Sequence, residues 1–412
     1  MIEQITIKNF KSFKDVSLKL GPMNFFIGAN ASGKSNFFDA LRVLQGIGYG
    51  FTFHEILDGK PKSATSEVWD GIRGGSTGIT FALGEAGLAT SLDVAGRCRN
   101  LADQGSFWGE DFRFGIAFSA EEGRLRRECL AAPDAIYDSS SLSNTDPGPV
   151  FEVSYRTGTR GQPPHLKFEK SRSVLTQMAR GGNGRWTEAD SEAAERVARV
   201  LADMQRVNPA PTLLRSYSQA HEISRMGEQG ENFAALIRKI CRESSAKTAY
   251  LGWLQELRPH DVDDIDTRKG AIGEPMVIMK ERDREWPAPV LSDGTLRFAA
   301  IAAAFFQPDM PGILTIEEIE NGIHASRLRL LVELLRSRAA AGETQVMATT
   351  HSPVVLAWLK PEEYANTFYC HRDEETGESR ITPLSEIPRF NEIVAKQSIS
   401  DLFAEGWLEE AL

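Results

Sequence analysis

The stretch Gly28-Ala29-Asn30-Ala31-Ser32-Gly33-Lys34-Ser35 decides the fold. It satisfies the pattern G-x-x-x-x-G-K-[ST] at every defined position, the mark of a phosphate-binding loop. Glycines let the backbone curl so that successive N–H groups point inward at phosphate oxygens. In that geometry Lys34 reaches the β- and γ-phosphates and the Ser35 hydroxyl ligates Mg2+. The flanks agree with this reading. Pro22-Met23-Asn24-Phe25-Phe26-Ile27 reads as a short buried strand. Residues 36–44 read as a helix whose N-terminus turns the positive end of its dipole to the phosphates. The loop predicts a nucleoside triphosphate site.

With 412 residues, the chain has room for two domains or one large domain with an insertion. Hydrophobic content of 41% and charged content of 25% are ordinary for a soluble globular protein. No run of about 18 apolar residues occurs, so no membrane span is expected. The opening Met1-Ile2-Glu3-Gln4-Ile5-Thr6-Ile7-Lys8 alternates like a strand and lacks the parts of a signal peptide. Cys98, Cys129, Cys241 and Cys370 lie far apart, with no C-x-x-C pair. That spacing argues against zinc and a disulfide framework, and a cytoplasmic location is expected. The net charge of −10 disfavours a surface coated for nucleic acid, while a local basic groove remains compatible with it.

Residues 3–8, 13–20 and 23–27 read as strands, and the helix after the loop ends near Gly46-Ile47-Gly48. Residues 49–75 read as loop. From 77 to 168 the period shifts towards two, with strands expected at 78–83, 87–94, 112–118, 124–129, 150–155 and 165–168 and a flexible loop at 138–149. An antiparallel sheet inserted after the first helix accounts for them. Residues 189–207 and 231–257 carry helical spacing, without the heptads of a long coiled coil. Strand-like segments resume at Asp261. They are followed by a helix at 296–306, a buried strand at 312–316, a helix at 325–340 and a buried strand at 344–349. This alternation predicts a parallel α/β sheet closing on the N-terminal half. The expected domains are 1–75 and 262–412 as two halves of one nucleotide-binding core, with 76–261 as an inserted β-rich and helical lobe.

The second half supplies further chemistry. Ile313-Leu314-Thr315-Ile316-Glu317-Glu318 is an apolar strand ending in two carboxylates, the form of a Walker B element. Glu317 then sits near Mg2+ and Glu318 polarises the attacking water. Glu317 replaces the more usual aspartate and reaches one methylene further. Thr349-Thr350-His351-Ser352-Pro353 follows the next apolar strand, which places His351 to hydrogen-bond a γ-phosphate. A metal set of His351, His324 and the glutamates lacks any tight ligand spacing. Leu291-Ser292-Asp293-Gly294-Thr295 precedes a helix and presents a hydroxyl and N–H groups at its start.

Together these segments resemble ABC-class ATPases of the RecF/SMC/OLD-nuclease type, and more closely the bacterial "AAA family ATPase" group of stand-alone ATPases. The opening Ile5-Thr6-Ile7-Lys8-Asn9-Phe10-Lys11-Ser12-Phe13 is similar to that group's start. Leu291-Ser292-Asp293-Gly294-Thr295-Leu296-Arg297 resembles its signature motif. Ile316-Glu317-Glu318-Ile319-Glu320-Asn321-Gly322-Ile323-His324 also fits, departing at Ile319 and Ala325, where prolines are common. The resemblance spans residues 1–45 and 285–358, and the insert only in outline. It implies an α/β fold: an ABC-type head with a split core sheet, an antiparallel β lobe, an inserted helical region and no long coiled coil. It also implies a head-to-tail dimer sandwiching two ATP molecules. Asn30, Gly33, Lys34, Ser35 and Asn36 of one copy, with Ser292 and Gly294 of the other, would bind each nucleotide. Ser35 and Glu317 would hold Mg2+, Glu318 would orient water, His351 would sense the γ-phosphate, and Asn321 would lie on the loop crossing the dimer. No glutamine of the Q-loop stands in a recognisable context.

Three targets for such a switch are compatible with the sequence. The first is DNA, in maintenance or phage defence, through the basic stretch 154–185. There Arg156, Arg160, Lys167, Lys170, Arg172, Arg180 and Arg185 stand against Glu169 alone. The second is a built-in nuclease of the TOPRIM type, which the roughly 55 residues after Pro353 are too few to hold. The third is a separately encoded effector from the same operon, such as a nuclease or toxin.

Overall fold

The computed structural model describes the whole chain except residues 61–68, 82–87, 100–107, 133–134, 141, 143–147, 157–162, 182–184, 220–222, 258–261, 283 and 412. Contacts divide it into two compact units. The first comprises Met1–Gly21, Gly28–Met204 and Tyr369–Thr382, and the second Pro22–Ile27, Gln205–Phe368 and Pro383–Leu412.

The first unit is built on an antiparallel sheet. Its strands are β1 (Ile2–Phe10), β2 (Phe13–Lys19), β4 (Thr90–Arg99), β5 (Trp108–Ser119), β6 (Arg124–Ala131), β7 (Ala135–Asp138), β8 (Val150–Tyr155) and β9 (His165–Glu169). Among the described residues their order is β2-β1-β4-β5-β6-β7-β8-β9. In β1 Ile2, Ile5, Ile7 and Phe10 are buried; Ile5 and Ile7 keep the period of two, and a register shift between Ile2 and Gln4 and the left-handed Asn9 each lengthen the step to three. The strands after the first helix therefore continue the sheet that β1 and β2 begin. The helix Lys34–Gly48 buries Phe37, Phe38, Leu41 and Leu44, and Glu188–Ala202 lies close against it. A Cβ on Gly48 would stand 2.4 Å from the Ala202 nitrogen, so only glycine permits that approach.

The second unit carries the parallel sheet. It contains β3 (Met23–Ile27), β10 (Met204–Val207), β14 (Ile313–Ile316) and β15 (Gln345–Thr350), in the order β10-β14-β15-β3. Every residue of β3, β14 and β15 is buried, as expected of parallel strands covered on both faces. Phe26 stacks on Phe368 at the start of β16 (Thr367–Arg372), their centroids 5.0 Å apart. The rest of β16 runs in the first unit with β17 (Ser379–Pro383). A separate antiparallel sheet joins β11 (Asp264–Lys269), β12 (Pro275–Glu281) and β13 (Arg284–Pro287). Helices Phe233–Ile240, Ser244–Leu257, Asp293–Ala304 and Ala325–Ala340 complete the unit. None of the described helices is long enough for an extended coiled coil, and none is long and apolar enough to cross a membrane.

Several local expectations change. Within 49–75 the chain forms the helix Phe53–Asp58, because Thr52 and Glu55 make a reciprocal capping box that satisfies its first N–H groups. Within 78–83 the described residues make a tight turn and one isolated bridge from Thr80 to Phe10 rather than a strand. The helix expected over 189–207 stops at Ala202, and Met204–Val207 becomes β10, since a strand's bonding beside β14 overrides the helical spacing. Half of the expected loop 138–149, and Arg160 of the basic stretch, lie outside the described residues.

One buried carboxylate locks the β lobe. Glu128 on β6 is fully buried and accepts from Tyr137 Oη (2.6 Å), Ser173 Oγ (2.8 Å), and the Leu175 and Val174 N–H groups (2.8 and 3.0 Å). Burial pushes its pKa up to about 7, against the pull of those four donors. A carboxyl raised in the folded state contributes stability fully below about 4.5, and that contribution fades as pH rises through 7. Wild-type unfolding free energy should therefore fall between pH 4.5 and 7 relative to Glu128→Gln. Parallel denaturation curves for the two proteins across that range would refute the assignment.

Candidate functional site

The first unit resumes at Gly28, the residue after β3. That residue has φ +140°, and a Cβ on it would stand 2.1 Å from the Cys370 carbonyl oxygen. Gly33, at φ +105°, precedes the helix Lys34–Gly48, leaving that helix's first N–H groups without a side-chain cap. Lys34 is only 6% exposed and its Nζ donates to the carbonyls of Gly28 (2.8 Å) and Ala29 (2.6 Å) and lies 3.3 Å from Ser32 Oγ. The cation is thus folded back over its own loop. Ser35 is half-buried on the first helical turn and Asn30 is exposed. Asn36 directs its amide to Ser12 Oγ (2.7 Å), tying the helix to the β1–β2 turn.

In the second unit, register aligns the ends of the parallel strands. Ile27 pairs with Thr350, and Ile316 with Ala348. Strands β3, β14 and β15 therefore end at the same carboxyl edge of the sheet, where open α/β sheets bind ligands, and Glu317 and His351 follow β14 and β15 there. Glu317 forms an ion pair with Arg206 (3.1 Å), which also faces Glu228 at 3.2 Å. Glu318 is exposed and adopts φ +48°, a strained conformation for a non-glycine residue. The Glu318 N–H donates to Thr349 Oγ1 (2.8 Å) and the Ile319 N–H to the Thr349 carbonyl (3.1 Å). Asn321 Nδ2 lies 3.5 Å from Glu318 Oε2. The His351 N–H donates to Glu320 Oε1 at 2.6 Å.

Ser292 caps the helix Asp293–Ala304, its Oγ accepting from the Thr295 N–H at 3.2 Å. Gly294 meets the neighbouring loop so closely that a Cβ there would stand 2.5 Å from the Gly322 carbonyl oxygen. The two segments line a cavity of about 800 Å³ with Trp286, His324 and Arg327. On the same helix, Arg297 is 4% exposed. It donates to the Asn208 side chain (3.2 Å) and to the carbonyls of Pro209 (2.8 Å), Glu317 (3.1 Å) and Glu318 (3.2 Å).

Sequence reading had singled out Ser292, Gly294, Glu317, Glu318 and His351, and all of these lie in the second unit. Arg297, Glu320 and Thr349 stand inside the quoted motifs without a role, and Arg206 stands outside them. Only Glu320 carried a visible signal, as the third acid of the run after β14. Among the described residues no group of three or more His, Cys, Asp or Glu could hold a metal. Within the basic stretch Lys170 is buried, Lys167 pairs with Glu152 at 3.2 Å and Arg172 with Glu169 at 3.3 Å, while Arg156, Arg180 and Arg185 are exposed.

Residues 1–62 match the model of an AAA ATPase domain, and residues 241–357 match a model described as AAA domain, putative AbiEii toxin, Type IV TA system. A protein of Helicobacter pylori (strain ATCC 700392 / 26695) named ATP/GTP phosphatase is 25% identical over 366 residues, covering 85% of each chain. A solved SMC head, bound to the C-winged helix domain of ScpA, shares the fold with TM-score 0.50 and 15% identity. The match covers 92% of this chain and 96% of that one. The SMC head domain from Thermotoga maritima matches with TM-score 0.43 and 14% identity over 93% of this chain and 98% of that one. The two matched segments are those of an AAA-type P-loop ATPase, and the chain shares its fold with an SMC head.

Substitution of the first loop glycine tests the geometry. Gly28→Ala has both the wrong φ and a backbone oxygen in the way, a cost on the order of 2–3 kcal/mol. Its melting temperature should fall by several degrees and nucleotide affinity should drop. An unchanged affinity in calorimetry would show that the loop does not need this conformation.

Proposed function

We propose that the protein is a nucleotide-gated switch in which two copies close on two ATP molecules and hydrolysis reopens them. The common carboxyl edge at which β3, β14 and β15 end supports this reading: the paired glutamates follow β14, the histidine follows β15, and the chain runs on from β3 into the phosphate loop. Lys34 leaves its loop carbonyls for the β- and γ-phosphates of bound ATP, and the N–H groups from Gly33 to Asn36 receive the phosphate oxygens. Ser35 and Glu317 would hold Mg2+ through their oxygen atoms, Glu317 being the carboxylate that here pairs with Arg206. That ion supplies neutralisation of phosphate charge. Glu318 orients and accepts a proton from the attacking water, and His351 contacts the γ-phosphate.

Ser292 and Gly294 of the second copy complete the site from across the dimer. The closed state gains affinity only while the γ-phosphate is present, so ATP has the differential contacts that a switch needs. Two targets fit the switch: the exposed Arg156, Arg180 and Arg185 of 154–185 support DNA, and the pairing and burial of Lys167, Lys170 and Arg172 support a separately encoded protein effector. DNA maintenance and phage defence remain the settings in which such an effector would act.

Two variants separate binding from turnover. Lys34→Ala should weaken ATP binding by at least tenfold. Glu318→Gln should bind ATP normally, lose turnover by a hundredfold or more, and elute as an ATP-dependent dimer in size-exclusion chromatography. Normal hydrolysis by Glu318→Gln would remove that residue from the mechanism, and a monomer in saturating ATP would remove the sandwich.

A further inference from the structure

Glu320 lies two residues beyond the water-orienting carboxylate, yet its side chain turns to the other loop. Oε1 accepts the His351 N–H at 2.6 Å, the shortest bond between these two segments among the described residues. Oε2 is buried and accepts no hydrogen bond from the described residues. Leaving a carboxylate oxygen buried and unsatisfied is costly, and such groups in native proteins call for an explanation. A neutral or apolar residue would avoid that cost if the position served packing alone. The neighbouring bonds show what the carboxylate completes. Thr349 receives the N–H groups of Glu318 and Ile319, one through Oγ1 and one through its carbonyl. The loop after β14 is thereby held by the end of β15, and Glu320 returns the grip by holding the first residue after β15. Three consecutive turns of the two loops are cross-linked by three bonds running in both directions.

We infer that Glu320 is a positioning residue for His351, fixing the backbone from which the imidazole projects so that Glu318 and His351 move as one unit. This rests on the proposed role of His351 at the γ-phosphate. The acceptor, not the charge, does the work: Gln keeps a carbonyl oxygen within reach of the His351 N–H, whereas Ala removes it. Loss of the grip leaves nucleotide capture by the phosphate loop intact and misplaces a group needed in the transition state. The effect should therefore fall on kcat and spare KM.

The test is a cycle of Glu320→Ala, His351→Ala and the double variant in the full-length protein, with Glu320→Gln as the conservative control, read as steady-state Mg–ATP hydrolysis. Glu320→Ala should lose at least tenfold in kcat with KM within threefold of wild type, and Glu320→Gln should recover most of it. The double variant should be no slower than the slower single one, because both changes disable the same element. Independent, multiplying losses in the double variant would overturn the inference, as would wild-type kcat in Glu320→Ala. If His351→Ala hydrolyses ATP normally, the role of His351 itself fails, which is a separate result from a normal Glu320→Ala beside a slow His351→Ala. Should Glu320→Ala fail to fold, Glu320→Gln decides. Near-normal kcat supports the acceptor argument, and a tenfold loss in a folded Gln variant overturns it.

Discussion

Parallel pairing of β14, β15 and β3 is the constraint on which the rest depends. These strands are four to six residues long and wholly buried, so their hydrogen bonds and side chains leave no freedom to slip. A shift of one residue would turn every buried side chain to the opposite face. Once register is fixed, the places where the three loops leave the sheet are fixed as well. The chemistry of the ATPase is a consequence of where these short strands stop.

Loops positioned by a rigid edge still need internal order, and the second unit provides it through backbone acceptors. Arg297 gathers the carbonyls of Pro209, Glu317 and Glu318 beside the helix Asp293–Ala304. A buried guanidinium is costly unless its donors are satisfied, and four partner groups in two loops meet most of that demand. Glu318 accepts a left-handed backbone in return for being held at its carbonyl and its N–H. Strain stored at such a residue persists only where the surroundings over-determine it. The water-orienting carboxylate proposed here is therefore held by its main chain, which leaves its side chain exposed.

The phosphate loop is ordered in a different way. Glycine conformations at Gly28 and Gly33 allow the backbone to pass against the Cys370 carbonyl and the Ser379 side chain. Lys34 satisfies its charge on loop carbonyls. Exchange of those weak acceptors for phosphate oxygens is favourable, since charge-assisted bonds to an anion are the stronger ones. Both halves of the chemistry thus begin from groups already held near their working positions.

By itself the sequence determined the nucleotide loop, the paired glutamates after a buried strand, the helix capped by Ser292 and the α/β class. Each is written in local residue order: glycine spacing, apolar runs and cap residues act within a few positions of one another. The helix Phe53–Asp58 was legible in its Thr52–Glu55 capping box and still read as loop, because six residues offer too little periodicity. Tertiary structure alone decided that Met204–Val207 is a strand, that β4 to β9 extend the sheet of β1 and β2, and that Lys170 is buried. It alone joined Glu320 to His351 and Arg297 to Glu317, pairs separated by 31 and 20 residues. Such partners are chosen by strand register and packing across the fold, and no local pattern of side chains encodes them.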